Sequence, residues 1–237
     1  MGRAAALLVL GALLGAYYAA VSHLPGARLW YEVAWLALVV IPAVCAVVLL
    51  VLPLAESPLA VRGTLTGAFV ALALIFGFTS LPVLENFAKL AAMTFFGWTF
   101  LAFVEDVSWV VIIACIVPWV DAYSVWRGPT KHIVKYHENV FSTLSFTYPV
   151  PNGATHLGLP DLFFFAVFLG AAQRFRLRVL PTWACLALSF GATLAISVWW
   201  GVGGLPALPL LAVGFLAPNA DLLWRRLRGS TAQVAVD

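Results

Sequence analysis

Apolar segments long enough to cross a bilayer follow one another almost without a break from Ala4 to Pro218. A spanning helix needs about 20 mostly apolar residues, and a chain with this many of them cannot fold as a water-soluble domain. The mean hydropathy of +1.01 agrees with this interpretation. The sequence therefore predicts a single all-α polytopic membrane domain over residues 1–237.

The apolar runs and the polar residues between them predict a bundle of about eight transmembrane helices, within a range of seven to nine. The predicted spans are 4–22, 32–54, 60–80, 86–104, 107–126, 157–173, 179–200 and 204–220. The first has an alternative interpretation as a cleaved signal peptide, because Arg3 precedes a short apolar region that ends in small residues. Within the domain, 1–104 holds the N-terminal helices, 105–220 the later spans with a long loop at 127–156, and 221–237 a basic tail.

The basic residues predict the orientation of the chain and bear on its partners. With the predicted spans, the larger group of Lys and Arg lies on the side of both termini, and the smaller group lies on the opposite side. The first group is Arg3, Arg62, Arg174, Arg176, Arg178, Arg225, Arg226 and Arg228; the second is Arg28, Lys89, Arg127, Lys131 and Lys135. The positive-inside tendency favours cytoplasmic termini for an integral protein of the cell membrane. A net charge of +3, spread in short clusters beside apolar spans, argues against a nucleic-acid partner.

Two aspartates lie inside apolar runs where acids are costly. Asp121 precedes the long loop by six residues, and Asp161 follows it by five, so at ~1.5 Å per residue both lie beneath the same membrane face. Two nearby buried carboxyl groups tend to share one proton, and that state lets one acid activate a water while the other polarises a carbonyl. Acids in membrane helices also bridge helices or line proton paths in transporters, and periodicity alone does not choose among these roles.

Three short motifs carry a resemblance to a known family. Val120–Asp121, the "LGLPD" of Leu157–Asp161 and the "LPALP" of Leu205–Pro209 occur in this order, each in or beside an apolar span. They resemble the YD, GxGD and PAL signatures of the presenilin and signal peptide peptidase family of intramembrane aspartyl proteases. The similarity extends over Glu105 to Pro218, about half of the chain, whereas the first hundred residues match in hydrophobicity only.

The resemblance implies a presenilin-like bundle in which Asp121 and Asp161 are the catalytic pair. It implies that Pro206, Ala207 and Leu208 shape the site against the aspartates. The implied substrates are transmembrane segments of membrane proteins or signal peptides within the lipid bilayer, with no cofactor, because the acids activate the water. Family members have nine spans, whereas about eight are predicted here.

Two residues depart from the family pattern. Val120 replaces the usual tyrosine, which removes a hydroxyl beside the first aspartate. Pro160 replaces the second glycine of GxGD in the segment Gly158, Leu159, Pro160. A glycine at this position would let a substrate backbone approach closely. Proline gives up its N–H but is tolerated in a first helical turn. An inactive homologue that binds helices is therefore one alternative, and a non-proteolytic ion channel or proton-coupled transporter is another.

The second half of the long loop has a pattern of its own. In "LSFTYPV", Leu144, Phe146 and Tyr148 alternate with polar residues, as in a strand, although an irregular loop on the headgroups remains an equal alternative. If the strand forms, its edge is predicted to pair with an unwound substrate, with these three residues contributing to substrate binding. His132 and His137 in the first half lack the spacing of the HExxH motif, so no metal site is predicted.

Overall fold

The computed structural model describes residues 2–127, 144–202 and 205–234, which form a mostly helical protein with one two-stranded antiparallel sheet. The predicted features at Lys131, His132, Lys135 and His137 lie outside these residues. The helices are α1 (Arg3–Ala20), α2 (Leu29–Trp35), α3 (Ile41–Val51), α4 (Leu59–Phe78), α5 (Pro82–Leu101), α6 (Val107–Trp126), α7 (Leu159–Arg174), α8 (Val179–Trp200), α9 (Leu208–Leu216) and α10 (Ala220–Val234), and the strands are β1 (Ser145–Val150) and β2 (Gly153–Gly158).

Five helical segments in the described part of the chain are long and apolar enough to cross a membrane. They are Arg3–His23, Leu29–Glu56, Leu59–Phe78, Val107–Val125 and Val179–Trp200. These segments agree with five of the predicted spans and with an integral membrane protein. The second segment contains α2 and α3, joined by a π-helical turn over Leu36–Val40. Pro42 follows this turn, and its missing N–H removes the hydrogen bond that would hold a regular α-helix there.

Three predicted spans differ from the structure. The span predicted at 86–104 is α5, which begins four residues earlier and ends at Leu101. The span predicted at 157–173 begins at Leu159 instead, because β2 continues to Gly158. The span predicted at 204–220 contains α9 followed directly by a short 3-10 helix, Ala217–Asn219. It starts late because Gly201 ends α8 in the left-handed conformation with φ of 62° and, among the described residues after it, the next helix begins at Leu208.

The connections between helices lie in two groups at opposite ends of the bundle, and hydrogen bonds show which connections lie together. At one, which we call the hairpin end, Tyr17 of α1 and Asn86 of α5 bond to the β1 backbone. At the other, which we call the arginine end, Arg62 of α4 bonds to the Trp98 carbonyl and Arg174 of α7 to the Leu101 carbonyl, both near the end of α5. The helices α5 and α7 therefore run between the same two ends as the longer apolar spans.

The centre of the bundle is α7, whose residues from Phe165 to Ala172 are all buried. Glycine lets α5 approach it closely, because a Cβ on Gly97 would lie 2.9 Å from the Phe163 carbonyl oxygen. The Trp98 indole N–H donates to the Ala166 carbonyl at 3.1 Å. Small residues at helix contacts, reinforced by hydrogen bonds between helices, are the usual basis of packing in a membrane. This packing fixes the position of α7, and with it Asp161.

Candidate active site

Asp121 lies on α6 and contacts the start of α9. The Leu208 backbone N–H donates to Asp121 Oδ2 at 3.1 Å, and α9 packs along α6. Leu208 is the first residue of its helix, so its N–H has no acceptor within the helix and is available to a side chain. Pro118 lies in α6 one turn before the aspartate. The first aspartate is therefore held by the third motif, although the two are 87 residues apart in sequence.

Asp161 is the third residue of α7. Its carboxylate accepts a hydrogen bond from the N–H of Gly158, the residue that caps the helix. An acid at this position commonly reaches back to the capping residue in this way. A Cβ on Gly158 would lie 3.1 Å from Asp161 Oδ2, so the glycine leaves the carboxylate the space that it occupies. The Leu159 N–H donates to the Leu144 carbonyl at 3.1 Å, which ties this helix start to the beginning of the hairpin.

The structure brings the three motifs together at one place. Besides α6, α9 packs against α7, with the rings of Phe168 and Phe215 stacked at 5.0 Å between centroids. The carboxylates of Asp121 and Asp161 are close enough to interact electrostatically, and both residues are half-buried. Two acids that share a partly dry site, with a backbone donor on each, have the elements needed to position and activate one water.

The segment Pro206–Leu208, which we call the PAL segment, leads into α9, and α8 packs against α9. Ala207 and Leu208 are buried and Pro206 is half-buried. Ser189 of α8 places its hydroxyl 2.8 Å from the Leu210 carbonyl, and a Cβ on Gly214 would lie 2.8 Å from that hydroxyl oxygen. The close approach of α8 to α9 fixes the first turn of α9, and therefore the direction of the Leu208 N–H.

The two departures from the family pattern have clear structural settings. Pro160 is exposed and occupies the first turn of α7, where a backbone N–H has no partner within the helix. The helix therefore loses no hydrogen bond to this proline. Val120 is 61% exposed on the outside of α6, turned toward the surroundings of the bundle.

The hairpin confirms the predicted strand but changes the roles of its side chains. Of the three residues predicted to bind substrate, Leu144 is 51% exposed, whereas Phe146 and Tyr148 are 0% and 1% exposed. The last two pack on each other, and Phe146 also packs on Phe87 of α5. The structure places both in the core, where they anchor β1 instead of facing a substrate.

The strand edge that was predicted to receive a substrate is occupied. Thr147 of β1 donates its N–H to Asn86 Oδ1 at 2.8 Å and accepts from Asn86 Nδ2 at 2.8 Å. Tyr18 donates to the same carbonyl, and Tyr17 to that of Pro149. One edge of β1 is thus covered by α1 and α5 and the other by β2. The outer edge of the sheet belongs to β2, whose Gly153 and Ala154 are exposed.

Sequence reasoning did not find the residues that hold the hairpin. Asn86 is 5% exposed, and a buried amide signals a specific partner. The partner, Thr147, is 61 residues away and could not be named from the sequence. Among the described residues, no group of three or more His, Cys, Asp or Glu could hold a metal ion.

Neither a protein-family model nor a curated protein matches this chain.

Proposed function

We propose that this protein is an intramembrane aspartyl endopeptidase that resembles the presenilin and signal peptide peptidase family. Its substrates would be transmembrane helices of membrane proteins or signal peptides. The observation that carries the proposal is the meeting of two electrostatically coupled aspartates with the amide of Leu208, three groups drawn from three separate motifs. Acids within apolar membrane helices are costly and are usually functional.

The chemistry follows from the two carboxyl groups. One is ionised and takes a proton from a water that lies between them, while the protonated one donates a hydrogen bond to the scissile carbonyl. The water attacks to give a tetrahedral diol, and the amine leaves with a proton returned by the acids. The Leu208 N–H would steady the Asp121 carboxylate through these steps. This contact supports the role that the resemblance implies for Pro206, Ala207 and Leu208, which is to lie against the aspartates and shape the site.

The substrate would bind as an extended strand on the outer edge of β2. Opposite residues of an antiparallel pair direct their N–H and C=O groups either toward each other or both outward. Thr147 directs its groups away from β2, toward Asn86. Pro149 lies two residues along β1 and directs its carbonyl the same way, toward Tyr17, so Ala154, which is opposite Pro149, directs its N–H and C=O outward as well. An unwound helix paired there would lead its backbone along β2 to Gly158 and Asp161.

The test is cleavage of a panel of single-span helices by the full-length protein in liposomes. Asp121→Asn and Asp161→Asn are compared with the natural chain, because asparagine keeps an oxygen for the Leu208 and Gly158 amides but cannot perform the proton transfer. Asp221→Asn is the matched control, since Asp221 is half exposed and pairs with Arg178 at the arginine end. Each site variant is expected to abolish cleavage, and the control to retain it.

The outcomes separate the alternatives. Loss of cleavage in both site variants, and inhibition by a hydroxyl-bearing mimic of the tetrahedral intermediate, would support the proposal. Cleavage by Pro160→Gly but not by the natural chain would identify a protease scaffold silenced by its proline. Cleavage that survives Asp121→Asn would refute the assignment. Absence of cleavage in all variants would refute proteolysis, and an ion-flux assay in the same liposomes would then separate a channel or transporter from a helix-binding protein.

A further inference from the structure

A cavity of about 280 Å³ lies at the arginine end of the bundle, away from the aspartates. It is lined by Ala55, Glu56, Arg62, Ala102, Gly170 and Arg174. These residues come from the end of the α2–α3 segment, the start of α4, the turn after α5 and the end of α7. Asp161 and Arg174 lie thirteen residues apart on α7, so the cavity is about 20 Å from the candidate active site.

Arg62 reaches this cavity from a buried position. The residue is 9% exposed, and its Nη1 donates to the carbonyls of Ala55 at 2.9 Å and Trp98 at 2.8 Å. Among the described residues, its buried Nε has no hydrogen-bond partner. The Nε side of a guanidinium is one of the edges that binds a phosphate or carboxylate with two parallel hydrogen bonds. A buried donor without a partner is costly, so a ligand that accepts from it would be stabilising.

Arg174 adds a second positive charge at the same cavity. It donates to the Leu101 carbonyl, and its guanidinium is close enough to that of Arg62 for the two to repel each other. Neither guanidinium has a carboxylate within 4.0 Å among the described residues. The acid that lines the cavity, Glu56, accepts instead from Gln173 at 2.8 Å. Two positive charges and one negative charge leave the cavity with a net positive charge of one.

We propose that this cavity binds the phosphate group of an anion. Two guanidinium groups that repel each other are brought together by a dianion or monoanion placed between them, and phosphate oxygens match their planar donors. The cavity lies where several membrane-crossing helices end, the depth at which phospholipid headgroups carry phosphate. Basic pockets between helices at this depth are known to hold anionic headgroups. A headgroup and free phosphate share this chemistry, and the site would exist whether or not the protein is a protease.

The test measures binding to the full-length protein in two ways. In the first, native mass spectrometry counts phosphatidylglycerol retained by protein taken from mixed phosphatidylglycerol and phosphatidylcholine micelles. In the second, inorganic phosphate is titrated into protein in micelles of a non-ionic detergent that carries no phosphate, and the thermal unfolding midpoint is followed. Arg174→Gln is expected to weaken anion binding about tenfold, since it removes charge-assisted hydrogen bonds. Glu56→Gln is expected to strengthen it about two- to fivefold, because it removes the opposing charge.

Two further variants guard against a purely structural effect. Arg176→Gln is the matched control, because Arg176 is exposed in the same turn but does not line the cavity. Arg62→Lys keeps a charge for the Ala55 and Trp98 carbonyls but loses the planar edge, so it is expected to fold and to bind weakly. A purely structural role for the arginines would leave binding unchanged in Glu56→Gln.

Each outcome decides for or against the site. Retained phosphatidylglycerol that millimolar phosphate does not displace identifies a lipid headgroup as the ligand. A rise of the midpoint with inorganic phosphate, absent in Arg174→Gln, identifies free phosphate. Equal losses in Arg174→Gln and Arg176→Gln would overturn the proposal in favour of general surface charge. Equal retention of phosphatidylglycerol and phosphatidylcholine, with no effect of phosphate, would overturn it as well.

Discussion

Replacing Asn86 with leucine would detach β1 from the helix bundle at one defined point. Leucine has a similar size but leaves the Thr147 N–H without the Asn86 Oδ1 acceptor that lies 2.8 Å away. The Thr147 carbonyl loses one donor but keeps Tyr18. An orphaned buried donor costs about 1–3 kcal/mol, so the free energy of unfolding should fall by about 2 kcal/mol. For a chain of this length that lowers the unfolding midpoint by about 4–8 °C.

The assay pairs thermal unfolding in detergent with hydrogen exchange at the Thr147 amide. A loss of about 2 kcal/mol in local stability corresponds to about thirtyfold faster exchange. Thr79→Val is the control, because it makes the same kind of change at an exposed residue whose hydroxyl bonds only within its own helix turn. A change of about 1 °C in the unfolding midpoint is within the spread expected for surface substitutions. A change no larger than this (~1 °C) in Asn86→Leu, with unchanged exchange at Thr147, would refute the assignment of Asn86 as the anchor of the hairpin.

Three other changes test the packing, the cap of α6 and the sheet edge. Gly97→Ala should cost about 1–3 kcal/mol by overpacking against the Phe163 carbonyl, whereas Gly63→Ala, with nothing within 4 Å of the added Cβ, should not lower the unfolding midpoint. Asp106 caps α6 by accepting from the Ser108 hydroxyl and N–H, bonds that hold its pKa below the usual range. Asp106→Ala should therefore lower the free energy of unfolding by about 1 kcal/mol near neutral pH. The difference in unfolding midpoint between this variant and the natural chain should vanish as the pH falls through the pKa of Asp106 in the folded state. Ala154→Pro should reduce cleavage of a helical substrate because it removes an outward N–H of β2, while Ala154→Val keeps that N–H and should cleave normally. Equal activity of the two variants would exclude substrate pairing at this edge.

The membrane-spanning helices could be predicted because their signal is local. Apolar length alone locates segments such as 59–78 and 179–200, and a glycine or proline marks several ends. The nine-residue α9 could not be foreseen in this way, since "LPALPLLAVGFLAP" is apolar throughout and its helix begins only where Leu208 meets Asp121. The strand β2 was also missed. Its sequence, "GATHLG", has little strand propensity, and pairing with β1 makes it a strand.

The aspartates of the candidate site could be named from the sequence, but their supports could not. Asp121 and Asp161 stand out because each is an acid in an apolar run. Asn86, Trp98 and Arg62 act through partners that only the folded chain brings near. In the sequence, Arg174 is only one of the bases that predict the orientation, because nothing local reveals that four chain segments converge around it. Polar residues inside predicted spans are the one local signal of such contacts, and they do not identify the partner.

The central position of α7 has a consequence for how the chain assembles during synthesis. The helices of the first hundred residues enter the membrane before α7 is made, yet Trp98 finds its acceptor on Ala166 and Asn86 its partners on Thr147. Until those residues emerge, α5 exposes two polar side chains to lipid or to neighbouring helices. The early helices therefore form an incomplete half-bundle, and a truncated chain that ends before Ala166 should be retained by quality-control machinery and degraded faster than the full-length protein.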